Sequence, residues 1–162
     1  MLRESACVLL VDARDRVLLF RSLRYPGKPE LGTLWHTPGG GIKGGEQAAE
    51  AAARELFEET GLSIGPGELG PAVAVTSGPA DLGWIAGEFH ETYFFCRASR
   101  HNIDISGFEE LEASTYAGHR WWPATELAQT TETVAPNGLA ALLNDLLAGK
   151  WPGEPVRLPW HH

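Results

Sequence analysis

Three glutamates at i, i+3 and i+4, Glu55, Glu58 and Glu59, stand just before Gly61 at the end of an alanine-rich stretch. At roughly 100° of rotation per residue they fall within about a quarter of a helix circumference. Ala49, Ala52, Ala53 and Leu56 form the adjacent apolar stripe, so residues 46–60 are predicted to be one helix that Gly61 ends in the left-handed conformation. Ala48 and Ala51 precede the acids on nearly the same side, and their small side chains are expected to leave room there for a ligand. Upstream, a short strand over residues 34–37 feeds Pro38 and the turn Gly39-Gly40-Gly41. A strand, a glycine-rich turn and an acidic helix thus follow one another along the chain.

Stability alone disfavours this pattern. Carboxylates in a last helical turn oppose the macrodipole by about 0.3 to 1 kcal/mol each, and like charges at i, i+4 add a further penalty. Residues that are locally costly are candidates for function. Hard divalent cations such as Mg²⁺ or Mn²⁺ take oxygen ligands and would reverse both penalties. Arg54, four residues after Glu50 and four before Glu58, is expected to hold carboxylates in place on the same helix. For any one glutamate a solvated surface pair is the simpler explanation; for the whole pattern a metal site is favoured.

The run Gly40-x5-Glu46-x7-Arg54-Glu55-Leu56-x-Glu58-Glu59-x-Gly61-Leu62 resembles the signature of the Nudix hydrolases, with every fixed position filled. It covers 23 of the 162 residues, with weaker support from residues 34–41 and 119–123. The resemblance implies a Nudix-type α/β/α sandwich, with a mixed β-sheet between helices. It also implies a metal-dependent enzyme that cleaves the phosphoanhydride of a nucleoside diphosphate linked to another group. Carried over by position, Glu55, Glu58 and Glu59 match the metal-binding glutamates and the carbonyl of Gly39 a frequent further ligand. Glu55 matches the general base of some members, while Arg54 and Glu46 match supporting residues. Such chemistry needs water made nucleophilic near neutral pH, neutralised phosphate charge and in-line attack. Members often recruit an acid from outside the signature; Glu112 is the first choice here, ahead of Glu109, Glu110, Glu88 and Glu91.

Composition is compatible with one compact domain over residues 1–162, since 43% hydrophobic content suffices for a core. The net charge of −8 argues against a nucleic-acid polymer as partner, while a phosphorylated small molecule remains compatible because metals bring positive charge. Cys7 and Cys96 sit in apolar runs without zinc-type spacing, so buried reduced thiols are expected. The N-terminus lacks signal-peptide character and no apolar run is long enough to span a membrane, which points to the cytoplasm.

Residues 6–11 and 17–20 read as a hairpin, residues 73–75 and 89–98 as further strands, and 118–122 as another before Pro123 opens a helical turn at its first position. Residues 137–147 read as a helix whose leucines pack on a core. The proline-rich tail, residues 151–162, is expected to cover a sheet edge or to pack on a second copy in a homodimer.

Two rival readings differ in class. Gly39-x-Gly41-x-x-Gly44 formally matches a Rossmann dinucleotide turn, but the acid about 20 residues on then falls in the acidic helix, not after a second strand. A nucleotide- or metal-binding module without turnover would be expected to lack a signature acid, and none is missing. For substrate contacts, Arg21, Arg24 and Tyr25 lie by the loop opposite the glycine turn, and Trp35, Trp84, Phe89 and Trp121 are candidates to stack on a base, with core or rim packing as the alternative for each. The extra motifs of NADH- and coenzyme A-directed subgroups are absent, and Pro79 alone is weak support for ADP-ribose, so (d)NTP and ADP-ribose-like substrates both stay open.

Overall fold

The central strand is the one whose residues are apolar at both parities, the pattern of a strand covered on both faces. In the computed structural model, which describes residues 2–81, 85–98, 102–108 and 110–161, and of residues 110–112 the backbone alone, that strand is β1 (Leu2–Asp12). The other described elements are β2 (Arg16–Leu23), β3 (Thr33–His36), β4 (Gly39–Gly41), α1 (Ala48–Thr60), β5 (Ala74–Asp81), β6 (Ala86–Ala98), α2 (Glu110–Thr115), β7 (Tyr116–Pro123), α3 (Ala124–Leu127), β8 (Val134–Ala135), α4 (Leu139–Leu147) and β9 (Val156–Arg157).

Ala6, Val8 and Leu10 of β1 face a core shared with Leu18 and Phe20 of β2 and Ala51, Ala52 and Leu56 of α1. Cys7, Leu9 and Val11 face a second core with Val17, Leu19, Tyr93 and four leucines of α4, Leu139, Leu142, Leu143 and Leu146. Helices thus close a mixed sheet from both sides, the architecture expected from the sequence.

The strands run in the order β8-β3-β2-β1-β6-β5-β9, with β4 also on β1 and β7 on β2. β1 and β6 pair in parallel along their whole length, from Leu2 opposite Glu88 to Asp12 opposite Ala98. By contrast, β1 and β2 meet only at Val11 and Val17, beside the hairpin turn. Away from that turn β1 pairs with β4, Cys7 opposite Gly39 and Ser5 opposite Gly41, while β2 pairs with β3 and β7. The sheet therefore splits between β1 and β2, and the functional cavity occupies the split.

Local chemistry moves several predicted boundaries. The acidic helix begins at Ala48, not at 46, because Glu46 accepts the Lys43 N–H at 2.9 Å and Glu50 accepts the Gln47 N–H at 3.0 Å, so both carboxylates serve the turn before the helix. Gly61 ends it as expected, at φ 77°. Pro123 precedes α3 in extended conformation at the cap, one place earlier than predicted. Of the two expectations for the tail, the first is seen: β9 adds to β5 in parallel, Val156 opposite Ala74, and Leu158 is buried. No helix of the described residues is long and apolar enough to cross a membrane.

Candidate functional site

Fully buried Ala51 and Ala52 let α1 lie close on β1. The alanines therefore pack against the sheet, and with Ala48 also set against that core they form no open shelf for a ligand. The same orientation turns Glu55 and Glu59 inward, to 6% and 2% exposure, and leaves Glu58 half-buried. A buried carboxylate must be partnered. Glu59 Oε1 accepts the Gly39 N–H at 2.9 Å, and Glu55 Oε1 accepts from Arg54 Nη1 at 2.9 Å.

Glycine is required opposite these acids for steric reasons. A Cβ on Gly40 would lie 2.5 Å from the Glu55 carboxyl carbon, and one on Gly39 would lie 2.6 Å from the Ala6 carbonyl oxygen. The bare backbone of β4 is what lets a strand edge rest directly on two buried acids.

Arg54 ties the assembly together, reaching Glu58 as expected but not Glu50. Its Nε and Nη2 grip Glu46 at 2.7 and 3.0 Å, Nη2 donates to the Gly41 carbonyl at 2.9 Å, and Nη1 reaches Glu58 at 3.4 Å besides Glu55. Glu50 is instead engaged in capping. The bidentate bond to Arg54 and the Lys43 N–H hold the Glu46 carboxyl down to about 2, and the guanidinium is raised well above its ordinary value.

The donor set of Glu55, Glu58 and Glu59 is all oxygen, which suits a hard divalent ion. Among the described residues no three acidic, histidine or cysteine side chains are already gathered as a cage. Arg54 Nη1 bridges Glu55 and Glu58, and the Gly39 N–H holds Glu59.

Beside the acids lies a cavity of about 340 Å³. From the β1–β6 wall it takes Cys7, Glu91 and Tyr93; from the β2–β3 wall Phe20, Ser22, Leu34 and His36; Gly39, Gly40 and Glu59 form one end, and Phe108, edge-on to Phe20, and Arg24 also line it. His36 Nδ1 donates to the Thr37 carbonyl at 3.0 Å, so Nε2 accepts from the Ser22 hydroxyl at 2.8 Å, and burial keeps the ring neutral. Tyr93 donates to Glu91 Oε2 at 2.5 Å. Burial pushes the Cys7 thiol and Tyr93 phenol well up, and the nearby charge of Glu91 raises both further.

Of the residues singled out for substrate, Arg24 lines this cavity and Tyr25 a small adjoining recess. Arg21 and Trp35 do not. Strand alternation points both to the other face, where Trp35 packs edge-on against Trp122 at 5.3 Å and bonds Glu132, and Arg21 bonds Thr33. Trp84 and Glu109 lie outside the described residues, as does the side chain of Glu112, whose backbone is in α2. The loop leading to α2 runs against the end of α1, where a Cβ on Gly107 would meet the Glu58 carbonyl oxygen at 2.6 Å. Glu91 had only a minor place among the sequence candidates, and His36, Tyr93 and Phe108 had none as site residues. The pairing of Ser5 with Glu91 and Cys7 with Tyr93 brings two of them to the acids, and no local pattern encodes it.

Comparison with known proteins follows from this geometry. A NUDIX domain model matches residues 1–143. Diphosphoinositol polyphosphate phosphohydrolase 2 of Rattus norvegicus is 36% identical over 74 residues, 45% of this chain and 36% of that protein. A putative 8-oxo-dGTP diphosphatase of Bacillus subtilis is 38% identical over 63 residues, 39% of this chain and 38% of that one. The chain thus covers less than half the length of either relative. A NUDIX hydrolase structure from Nitrosomonas europaea superposes with a TM-score of 0.63 at 16% identity, covering 96% of this chain and 93% of that one, a likeness of fold.

Proposed function

The chain belongs to the Nudix family, whose domain model spans most of its length, and on that premise we propose that it is a divalent-metal-dependent pyrophosphohydrolase acting on a nucleotide-type small molecule. The observation that carries this is the placement of two buried carboxylates, Glu55 and Glu59, with half-buried Glu58 beside them, against the bare backbone of Gly39 and Gly40 at one end of a cavity that can hold a substrate.

Glu55, Glu58 and Glu59, with the carbonyl of Gly39, would hold Mg²⁺ or Mn²⁺. Such an ion supplies a more acidic bound water and positive charge against the phosphates. Arg54 keeps Glu55 and Glu58 at a set separation and is itself fixed by Glu46 and Gly41. Glu55 is taken as general base on its place in the signature, with Glu58 as the other catalytic candidate. Glu112 is retained as a further acid on α2, with Glu91 as the acid that lines the cavity itself.

The apolar wall of Phe20, Leu34 and Phe108 is suited to a base or other flat group. Arg24 supplies positive charge to a phosphate in a protein of net charge −8. A (d)NTP or an ADP-ribose-like compound fits these demands, and the relatives' names add oxidised dGTP and diphosphoinositol polyphosphates to the panel. We place the enzyme in the cytoplasm as one domain over residues 1–162, acting without a nucleic-acid polymer or membrane partner, and read a homodimer as compatible with it. The test is release of phosphate or pyrophosphate from that panel with Mg²⁺, Mn²⁺ and a chelator. Turnover that needs the metal supports the proposal; an untouched panel refutes it.

A further inference from the structure

The tail does more than complete a sheet edge. Past β9 the Leu158 N–H donates to the Val75 carbonyl at 2.9 Å, and the chain then crosses the ends of β5 and β6. There the Trp160 indole stacks on Phe89, donates to the Pro79 carbonyl at 2.7 Å, and covers Gly78, where a Cβ would strike the ring at 2.4 Å. On the other side Asn137 donates to the Trp160 carbonyl at 3.1 Å. Pinned on both sides, the chain turns His161 into the cavity. Its side chain is 5% exposed, and Nε2 lies 3.4 Å from Glu91 Oε2, the oxygen that also accepts from Tyr93.

Covering the edge of β5 requires nothing beyond Leu158 and Trp160. A buried imidazole placed beside a half-buried acid, in the same cavity as Glu59 and Gly39, calls for a further reason. A glutamate's terminal torsion is broad, so an acid that must present one oxygen in a fixed direction needs donors on the other. Tyr93 and His161 address the same oxygen from two elements.

We propose that His161 is a positioning residue of the hydrolytic site, acting through Glu91, and that the tail enters the wall of the substrate cavity through this one side chain; the role rests on the hydrolase reading above. A carboxylate misplaced by about 1 Å costs on the order of 100-fold in rate, and loss of a supporting partner commonly costs about 10- to 100-fold.

The experiment compares His161→Ala, His161→Gln, Glu91→Gln and the double variant Glu91→Gln/His161→Ala in the full chain. His161→Ala is expected to lower kcat about tenfold or more with KM within about threefold. His161→Gln, whose amide can still donate to the acid, is expected to recover most of the loss. The double variant should be no slower than Glu91→Gln alone, because both changes remove one arrangement. Multiplying losses in the double variant, or kcat within about twofold of the parent in His161→Ala, would overturn the proposal.

A readout independent of turnover accompanies this. In ¹⁵N-labelled protein, Glu91→Gln should shift the ring signals of His161, and unchanged signals overturn the inference even if His161→Ala fails to fold. Absence of turnover in the unaltered protein would instead sink the hydrolase reading, and with it the catalytic half of this one, so the two failures are distinguishable.

Discussion

Replacing Gly40 with alanine isolates the contact between β4 and the buried acid of α1. The added methyl would lie 2.5 Å from both Cδ and Oε1 of Glu55, where ordinary contact begins at 3.4 Å, so the carboxylate has to retreat by about 0.9 Å. Its bond to Arg54 Nη1 is 2.9 Å long, and Arg54 is anchored on its far side by Glu46 and the Gly41 carbonyl and cannot simply follow. Loss of that charge-assisted bond costs about 1.5 to 3 kcal/mol, or about 3 to 12 °C in Tm for a chain of this size. A displacement near 1 Å in the proposed general base costs on the order of 100-fold in kcat.

The control is its neighbour. A Cβ on Gly41 meets nothing within 4 Å, and Gly41→Ala keeps the carbonyl that Arg54 uses, so Tm and kcat should stay close to the parent's. Thermal melts and steady-state hydrolysis of the best substrate measure both. Equal damage from the two substitutions, or a Gly40→Ala enzyme within about twofold of the parent, would refute the steric account of why β4 is glycine.

Further outcomes follow from the same geometry. Glu46 is held to about 2 against an unfolded value near 4.5, so its contribution is complete above about 4.5 and is lost as the pH falls toward 2; in urea titrations Glu46→Gln should flatten the acid limb of the stability curve, and an unchanged limb would contradict this. Arg54→Ala strands the buried charge of Glu55 and should cost about 2 to 4 kcal/mol as well as activity, whereas a variant of parental stability would show that Glu55 does not depend on it. Cys7 and Cys96 have burial-raised pKa values, so a thiol reagent at pH 8 should label the native protein slowly and the denatured protein at both sites. Trp35→Phe should lower Tm with KM unchanged, while Phe108→Ala should raise KM about tenfold; a reversed pattern would place the substrate on the wrong face of β3.

What could be read before folding was local. Helical periodicity puts Glu55, Glu58 and Glu59 on one side, and the apolar runs of residues 6–11 and 17–20 mark a hairpin. β4 went unread as a strand because three glycines have no side chains to alternate. Helical spacing pairs Arg54 with Glu50 and Glu58; the Glu58 contact forms, but the helix starts at Ala48, which leaves Glu46 in a turn that folds back on the guanidinium in place of Glu50. By residue type Trp35 and Arg21 are candidates to bind a nucleotide, while His36 and Ser22, one position away from each, line the cavity. Alternation separates the two sets, but which set faces substrate depends on where the sheet splits.

The sequence by itself determined the acidic helix end, the glycine turn beside it and the family, because these rest on residues within about a turn or two of one another and on short-range sterics. Only the tertiary structure decided that Glu91, Tyr93 and His161 join them. They arrive through a parallel pairing of β1 with β6 and a strand addition at the far edge of the sheet, and such register is set by burial and backbone hydrogen bonding between segments distant in the chain, which leaves no periodic trace in either segment alone.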